Sequence, residues 1–440
     1  MRLTRVGGTK RMEPELVRIS QRSRSNPEEK FTSLMGRVKD LNRLRESFQA
    51  QSRKKAPGID GVRKEDYAVG VEAKLEDLSN RIGRMAYRPP PVRRTYIPKT
   101  NGGQRPLGIP TFESRIVQDR VAKVLVAIFE PEFRDSSYGY RAGRSQHDAL
   151  RAVHETITKE GITYVVEADI KGFFNNVAHD HLMSFIERRI GDPNFLRLVR
   201  RFLRAGTMED GAYSASIEGT PQGGLISPVL SNIYLHYVLD VWFEEYASGC
   251  QGRARLIRYA DDFIACFEYQ EDAERYYVAM QQRLKDYALE IEPTKTCIIP
   301  FGLTQPMKLA GTFNFLGLTH HIATSRTGQA KLGRKTMKKK VQTKLKEVRD
   351  KLRKMRNAGT AAITTYVRQH LQGHINYYGV SDNYRSISTY SYRVRSMLYK
   401  WLNRRSNRRS CTWEVFGEWY TRLKMPKPCI RTSFYNVAAR

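Results

Sequence analysis

Two adjacent carboxylates, Asp261 and Asp262, sit between short apolar stretches in Arg255-Leu256-Ile257-Arg258-Tyr259-Ala260-Asp261-Asp262-Phe263-Ile264-Ala265-Cys266. The pattern reads as a β-hairpin whose tight turn carries both acids. Paired acids repel each other and are costly unless a cation neutralises them. Magnesium prefers hard oxygen ligands and keeps positions open for phosphate oxygens. The chemistry indicated is phosphoryl transfer at bound metal. Alone, the same dipeptide would fit a solvated Asp-Asp turn.

A third acid changes the balance. Tyr164-Val165-Val166-Glu167-Ala168-Asp169-Ile170-Lys171-Gly172-Phe173-Phe174 reads as an apolar strand ending in an acid, followed by a glycine turn and two aromatics. A two-metal centre holds its ions roughly 3.5–4 Å apart and needs a carboxylate that bridges them. Asp169 is the candidate. Two acids from one hairpin and one from a neighbouring strand match the palm of nucleic-acid polymerases.

The elements that must position these acids are legible in outline. Residues up to about Asn26 are polar, basic and pattern-poor, as in a flexible arm or an extension that covers template, and Leu34, Val38, Leu41, Leu44 and Phe48 then follow helical spacing. Arg93–Pro110 reads as a hairpin, and Ser114–Phe133 as a helix. Alternating strands and helices to Leu318 predict an α+β palm. Beyond Leu332, apolar stripes from Met337 to Met355, Ile363 to Tyr378 and Ile387 to Trp401 predict three amphipathic helices, the first ended by Gly359. Trp413, Phe416, Trp419 and Tyr420 fit either base stacking beside basic residues or an aromatic cluster packed on those helices.

Further blocks resemble, in family order, those of a bacterial group II intron-type reverse transcriptase, from about Lys30 to the C-terminus. They are Ala56-Pro57-Gly58-Ile59-Asp60-Gly61-Val62, Ile97 to Pro110, Tyr138-Gly139-Tyr140-Arg141-Ala142-Gly143-Arg144-Ser145, Gly219-Thr220-Pro221-Gln222-Gly223-Gly224-Leu225-Ile226-Ser227-Pro228, Thr294-Lys295-Thr296 and Phe315-Leu316-Gly317. One block is weak evidence; this many in order is strong. The resemblance implies an α+β right-hand polymerase (fingers and palm) followed by an all-α three-helix thumb that doubles as the maturase domain. The implied division is 1–50, a basic extension; 51–325, fingers and palm; 326–402, thumb/maturase; and 403–440, a basic nucleic-acid-binding segment.

It also implies roles. Asp169, Asp261 and Asp262, with the Ile170 carbonyl, would hold two Mg2+ ions, and Lys99 and Arg105 would clamp the triphosphate. Phe174 would lie beneath the sugar and refuse a 2′-hydroxyl, with Phe173 as its core-facing neighbour or its substitute; strand alternation would put the two rings on opposite sides. Gln222 would meet the sugar or template, and Lys295 the phosphates or primer. Expected partners are an RNA template, a DNA or RNA primer, deoxynucleoside triphosphates, group II intron RNA and a DNA target. A C-terminal His-Asn-His nuclease, frequent in such proteins, is not expected. A stand-alone enzyme of DNA repair or phage defence, or an RNA-binding maturase without polymerisation, would share much of this pattern. An RNA-templated RNA polymerase would not place an aromatic at Phe174.

Composition agrees independently. The 440 residues carry 76 Lys and Arg against 45 Asp and Glu, a formal +31 and a pI near 10.0. That length predicts two or three domains. Such a field attracts polyanions, nucleic acid first. From Lys331 to Arg440 there are 27 Lys and Arg against 5 Asp and Glu, a local net of +22, so this quarter is the expected nucleic-acid surface. Arg334, Lys338, Arg404, Arg405, Arg408 and Arg409 are its named candidates. The five cysteines include no Cys-x-x-Cys pair, and neither a signal peptide nor a membrane span is apparent. A cytoplasmic, nucleoid-associated bacterial protein is the expectation, with no membrane partner.

Overall fold

The computed structural model describes residues 12–98, 103–209, 211–215, 218–219, 223–306, 308–404 and 411–435. The chain has mixed α/β content and forms two compact units. The first comprises Met1–Gln146, Ala168–Ala265 and Glu271–Cys297; the second comprises His147–Glu167, Cys266–Gln270 and Ile298–Arg440. Both are assembled from segments far apart in sequence.

The strands, in chain order, are β1 (Val92–Pro98), β2 (Gln104–Ile109), β3 (Tyr164–Asp169), β4 (Thr207–Glu209), β5 (Ala212–Ser214), β6 (Ala254–Tyr259), β7 (Asp262–Phe267), β8 (Cys297–Pro300), β9 (Thr312–Phe315), β10 (Leu318–Thr324) and β11 (Ala330–Thr336). They form sheets of order β2-β1-β4-β5, β6-β7-β3-β8 and β11-β10-β9. β1 and β2 pair antiparallel from Arg93↔Ile109 to Pro98↔Gln104. β3 and β7 are neighbours, so Asp169 ends one strand beside the strand that Asp262 begins.

In the first unit the helix Phe112–Phe129 is buried along most of its length and is N-capped by Thr111, whose Oγ1 accepts from Ser114 N–H. Within the basic N-terminal stretch, the described residues are not pattern-poor: Pro14–Ser25 is a helix with Leu16 and Ile19 buried. Two apolar residues among arginines leave a faint stripe. The stronger anchor is Glu13, whose carboxylate meets the buried Arg120 guanidinium at 2.5 and 3.0 Å. The expected helix over 34–48 is two, Met35–Lys39 and Leu41–Ala50, divided where Asp40 caps the second through Arg43 N–H.

In the second unit helices Lys338–Lys354, Thr360–Tyr378 and Tyr384–Asn403 carry the predicted stripes into one core. Gly359 starts the second helix as its N-cap; it does not end the first. A fourth helix, Trp413–Arg422, inserts Phe416 into the same core, with Trp413, Trp419 and Tyr420 packed around it. The Arg395 guanidinium lies 4.9 Å from the Trp413 ring centre and 5.0 Å from that of Tyr420. These aromatics therefore pack within the bundle. Among the described residues no helix is long and apolar enough to cross a membrane.

Candidate active site

Asp169 closes β3, and its Oδ2 accepts from the Lys295 ammonium, which stands on the single turn Pro293–Lys295. That contact, and behind it the fields of Glu292 and Asp262, holds the Lys295 pKa above its ordinary value. β3 is extended further by a bridge between Ile170 and Ile291, flanked by Lys171 N–H to Glu290 O and Glu292 N–H to Asp169 O, both 2.8 Å. Peptide groups alternate in direction along an extended chain. With Asp169 O engaged on that edge, the Ile170 carbonyl is directed to the opposite one, where β7 lies.

The double-Asp hairpin is formed as expected, but Asp261 lies in the turn and Asp262 is the first residue of β7. Ala260 has φ +59°, a left-handed conformation that costs an L-residue energy and persists only where its surroundings impose it. Both acids are partly buried. Burial pushes the Asp261 carboxyl above its usual range and Asp169 pushes it further, while its own backbone N–H and the Arg105 and Arg258 charges pull it back. The acids from β3 and the hairpin thus lie within each other's fields, facing Lys295 and Arg105. Among the described residues no three acidic, histidine or cysteine side chains stand ready-made around one point; in this conformation Asp169 is held by Lys295.

Loops close in around this centre. Arg105, exposed on β2, acts electrostatically on Asp261 and Tyr140. A Cβ on Gly223 (φ +116°) would lie 2.7 Å from Gly108 O on β2, and one on Gly219 (φ +83°) would lie 2.8 Å from Phe174 O. Only glycine permits both approaches. Lys99 and Gln222 lie outside the described residues.

The two phenylalanines diverge because Phe173–Asn175 is a single 3-10 turn and not a strand. Phe173 is 2% exposed and packs on Tyr234, so it cannot meet a nucleotide. Phe174 is half-buried, with its ring edge-on to Phe173 at 5.3 Å.

Tyr140 was missed as a site residue. Its hydroxyl pKa is pushed up to about 12 by burial and then by Asp261, and its own φ is +59°. Arg258 was missed as well. It is fully buried behind the turn, and a charge inside the apolar run Leu256-Ile257-Arg258-Tyr259 was the available signal.

The basic residues expected at a nucleic-acid surface separate. Arg334 is a correction. It shares the inward face of β11 with Leu332 and Thr336, is 1% exposed, and contacts Asp382 at 3.4 Å with its guanidinium over the Phe434 ring. It presents no charge to a ligand. Lys338 is exposed at the start of its helix, and Arg404 is exposed with its guanidinium 5.8 Å from the Trp401 ring centre. Arg405, Arg408 and Arg409 lie outside the described residues.

Residues 97–320 match the protein family described as Reverse transcriptase (RNA-dependent DNA polymerase). The chain is 41% identical to Protein YkfC of Escherichia coli over 237 residues, covering 47% of this chain and 62% of that protein. It is 40% identical to the group II intron-encoded protein LtrA of Lactococcus lactis over 225 residues, 50% of this chain and 37% of that protein. It is 28% identical over 131 residues to the Arabidopsis thaliana protein named Nuclear intron maturase 4, mitochondrial, covering 29% of this chain and 16% of that one. The first two relatives are therefore matched over less than two thirds of their lengths.

Proposed function

Because the chain belongs to the reverse transcriptase family, and to its group II intron type, we propose that it is an RNA-directed DNA polymerase that also binds intron RNA as a maturase. The observation that carries this reading is the meeting of Asp169, Asp261 and Asp262 at neighbouring strand ends, faced by Arg105 and Lys295. The donor set suits magnesium: three carboxylates and the Ile170 carbonyl are hard oxygen ligands, and the Asp261 carboxyl, raised by burial and then by Asp169, is one whose ionised form a cation would favour. Two Mg2+ ions bound there would supply charge neutralisation and a lowered 3′-hydroxyl pKa for phosphoryl transfer.

The chain's own groups orient the reactants. The primer 3′-oxygen forms a bond to the α-phosphorus of a deoxynucleoside triphosphate as the bond to pyrophosphate breaks. Arg105, with Lys99, neutralises the triphosphate, since charge spreads over phosphoryl oxygens in the transition state. The Lys295 ammonium, which contacts Asp169 here, would be available to the phosphates or primer if a cation took its place on that carboxylate. The Phe174 ring fills the space a 2′-hydroxyl would need. Phe174→Ala should therefore raise ribonucleotide incorporation by roughly tenfold or more, the usual scale of discrimination by one shaped contact, with deoxynucleotide extension retained. Unchanged sugar selection in a competition assay would remove Phe174 from that role.

The helices after β11 are the proposed thumb and maturase surface, with structured RNA, primer–template duplex and a DNA target as partners. Lys338, Lys339 and Lys340 crowd the first turn of a helix without an acid or a side-chain cap. Cations there oppose the helix dipole by about 0.3–1 kcal/mol each. Break a local rule without structural gain, and function is the expected reason. Replacing exposed Lys338 and Lys339 with Gln should stabilise the bundle slightly, yet weaken RNA binding and flatten the slope of log affinity against log salt by roughly 0.7–0.9 per lost contact. An unchanged slope would place the interface elsewhere. The polymerase reading itself is tested by primer extension on an RNA template with deoxynucleotides and Mg2+; no product from folded wild-type protein that binds the template–primer would overturn it.

A further inference from the structure

Behind the double-Asp turn, the Arg258 guanidinium uses all five of its N–H donors, on four residues. Nε donates to Asp240 Oδ1 at 2.7 Å and one Nη2 hydrogen to Asp240 Oδ2 at 2.5 Å. The other Nη2 hydrogen reaches Ser137 Oγ at 2.7 Å. Nη1 donates to Asn232 Oδ1 at 3.2 Å and to the Ala260 carbonyl at 3.1 Å. Asn232 in turn donates through Nδ2 to Gly139 O at 2.8 Å. Three separate pieces of chain are joined through one planar group: the loop at Ser137–Gly139, the helix carrying Asn232 and Asp240, and the turn itself.

The helix is deformed to make this possible. Ser227–Leu235 runs into a π-turn, His236–Asp240, before continuing as an α-helix. In an uninterrupted α-helix, residues eight apart stand about 80° out of phase. The one extra residue of a π-turn brings Asn232 and Asp240 to within about 20° of the same face. Both then point at Arg258. π-turns of this kind concentrate at functional sites.

On the polymerase reading of the site, we infer that Arg258 is a positioning residue, which fixes the Ala260 carbonyl and so sets the direction in which Asp261 and Asp262 present their carboxylates as metal ligands. Ala260 is held at φ +59°, a conformation that the turn would leave without an imposed contact. The guanidinium supplies that contact from behind the turn and makes its hydrogen bonds to Asp240, Ser137, Asn232 and the Ala260 carbonyl, leaving the Asp261 and Asp262 oxygens to other ligands, although its charge still acts on Asp261. Lysine cannot substitute. It keeps a positive charge for Asp240 but offers a compact ammonium with three donors in place of a five-donor fork.

Arg258→Lys should therefore fold but melt below the wild type, because buried acceptors lose their donors, and at temperatures where it is fully folded it should lose kcat by at least tenfold. KM for nucleotide and for template–primer should stay within threefold. The Mg2+ concentration for half-maximal rate should rise, and Mn2+ affinity of the template–primer complex, read by electron paramagnetic resonance, should fall. A folded Arg258→Lys enzyme with wild-type kcat and Mg2+ dependence would overturn the inference. So would a rate that falls only in step with the folded fraction while metal dependence stays unchanged, which would make Arg258 purely structural. If Arg258→Lys does not fold, Ser137→Ala decides, because it removes one of the five contacts: a several-fold drop in kcat is expected, and an unchanged kcat overturns the inference. Wild-type enzyme in the same assay separates the two readings, since an inert wild type would sink the polymerase reading together with this one.

Discussion

Asp261→Asn should lower RNA-templated primer extension on the order of a thousandfold or more, because preorganised charge at the reacting phosphate is the largest single contribution to this chemistry. Template–primer affinity should hardly change, since one turn residue adds little to binding dominated by phosphate contacts. The same substitution should stabilise the metal-free protein. Burial, and then Asp169, push the Asp261 carboxyl up, so the folded chain holds that proton more tightly than the unfolded chain. Stability from this group is therefore present at low pH and declines as pH climbs past the ordinary aspartate range of about 4. At pH 7 the ionised carboxylate weakens the empty site, and asparagine removes that penalty. The melting temperature of Asp261→Asn should exceed that of the wild type at pH 7, and the difference should close toward pH 4. A variant that polymerises normally, or that is less stable than the wild type without metal at pH 7, contradicts this account of the acid.

Gly139→Ala should cost on the order of a hundredfold in kcat, the scale of an ångström-sized misplacement of reacting groups. A Cβ there would stand 2.4 Å from Ala260 N, 3.0 Å from Tyr259 C and 3.1 Å from Ala260 Cα. All three are backbone atoms of the double-Asp turn, so no flexible side chain can yield. Nor can the glycine loop retreat: Tyr138 N–H donates to Arg258 O at 2.9 Å and Arg258 N–H to Ser136 O at 2.8 Å, which ties the loop to β6. Gly143 supplies the control. It has φ +75°, but a Cβ there meets nothing within 4 Å. Gly143→Ala should lose about 1 kcal/mol of stability from backbone strain and keep its kcat. Steady-state kinetics and thermal melting on the two variants distinguish a wedge beneath the turn from a general loss of folding, and equal kcat values would rule out the wedge.

The placement of the three acids was legible in the sequence because they sit at strand ends. An apolar strand that stops on Asp169 and a hairpin that turns on Asp261 are both short-range patterns, and the sheet then makes Asp169 and Asp262 neighbours. What sequence could not show was pairing at a distance. Arg334 reads as one cation among many, yet strand alternation turns it inward, and its acid, Asp382, is 48 residues away. Arg258 and Asp240 are nearer in sequence, but only the π-turn brings Asp240 onto the face that also carries Asn232. Phe173 and Phe174 were expected to diverge by strand alternation and diverge instead through a 3-10 turn after Gly172, whose φ is +58°. The helix Pro14–Ser25 was hidden because its register depends on two apolar residues and an acid, Glu13, that serves the buried Arg120.

The most direct measurement is diffraction at the manganese edge from a complex of the enzyme with RNA template, chain-terminated primer and matching deoxynucleoside triphosphate. Two anomalous peaks roughly 3.5–4 Å apart are predicted between Asp169, Asp261 and Asp262, with the Ile170 carbonyl on one of them and the Lys295 ammonium withdrawn from Asp169. Manganese bound away from these carboxylates, or an intact Lys295–Asp169 pair with nucleotide and primer in place, would contradict the account.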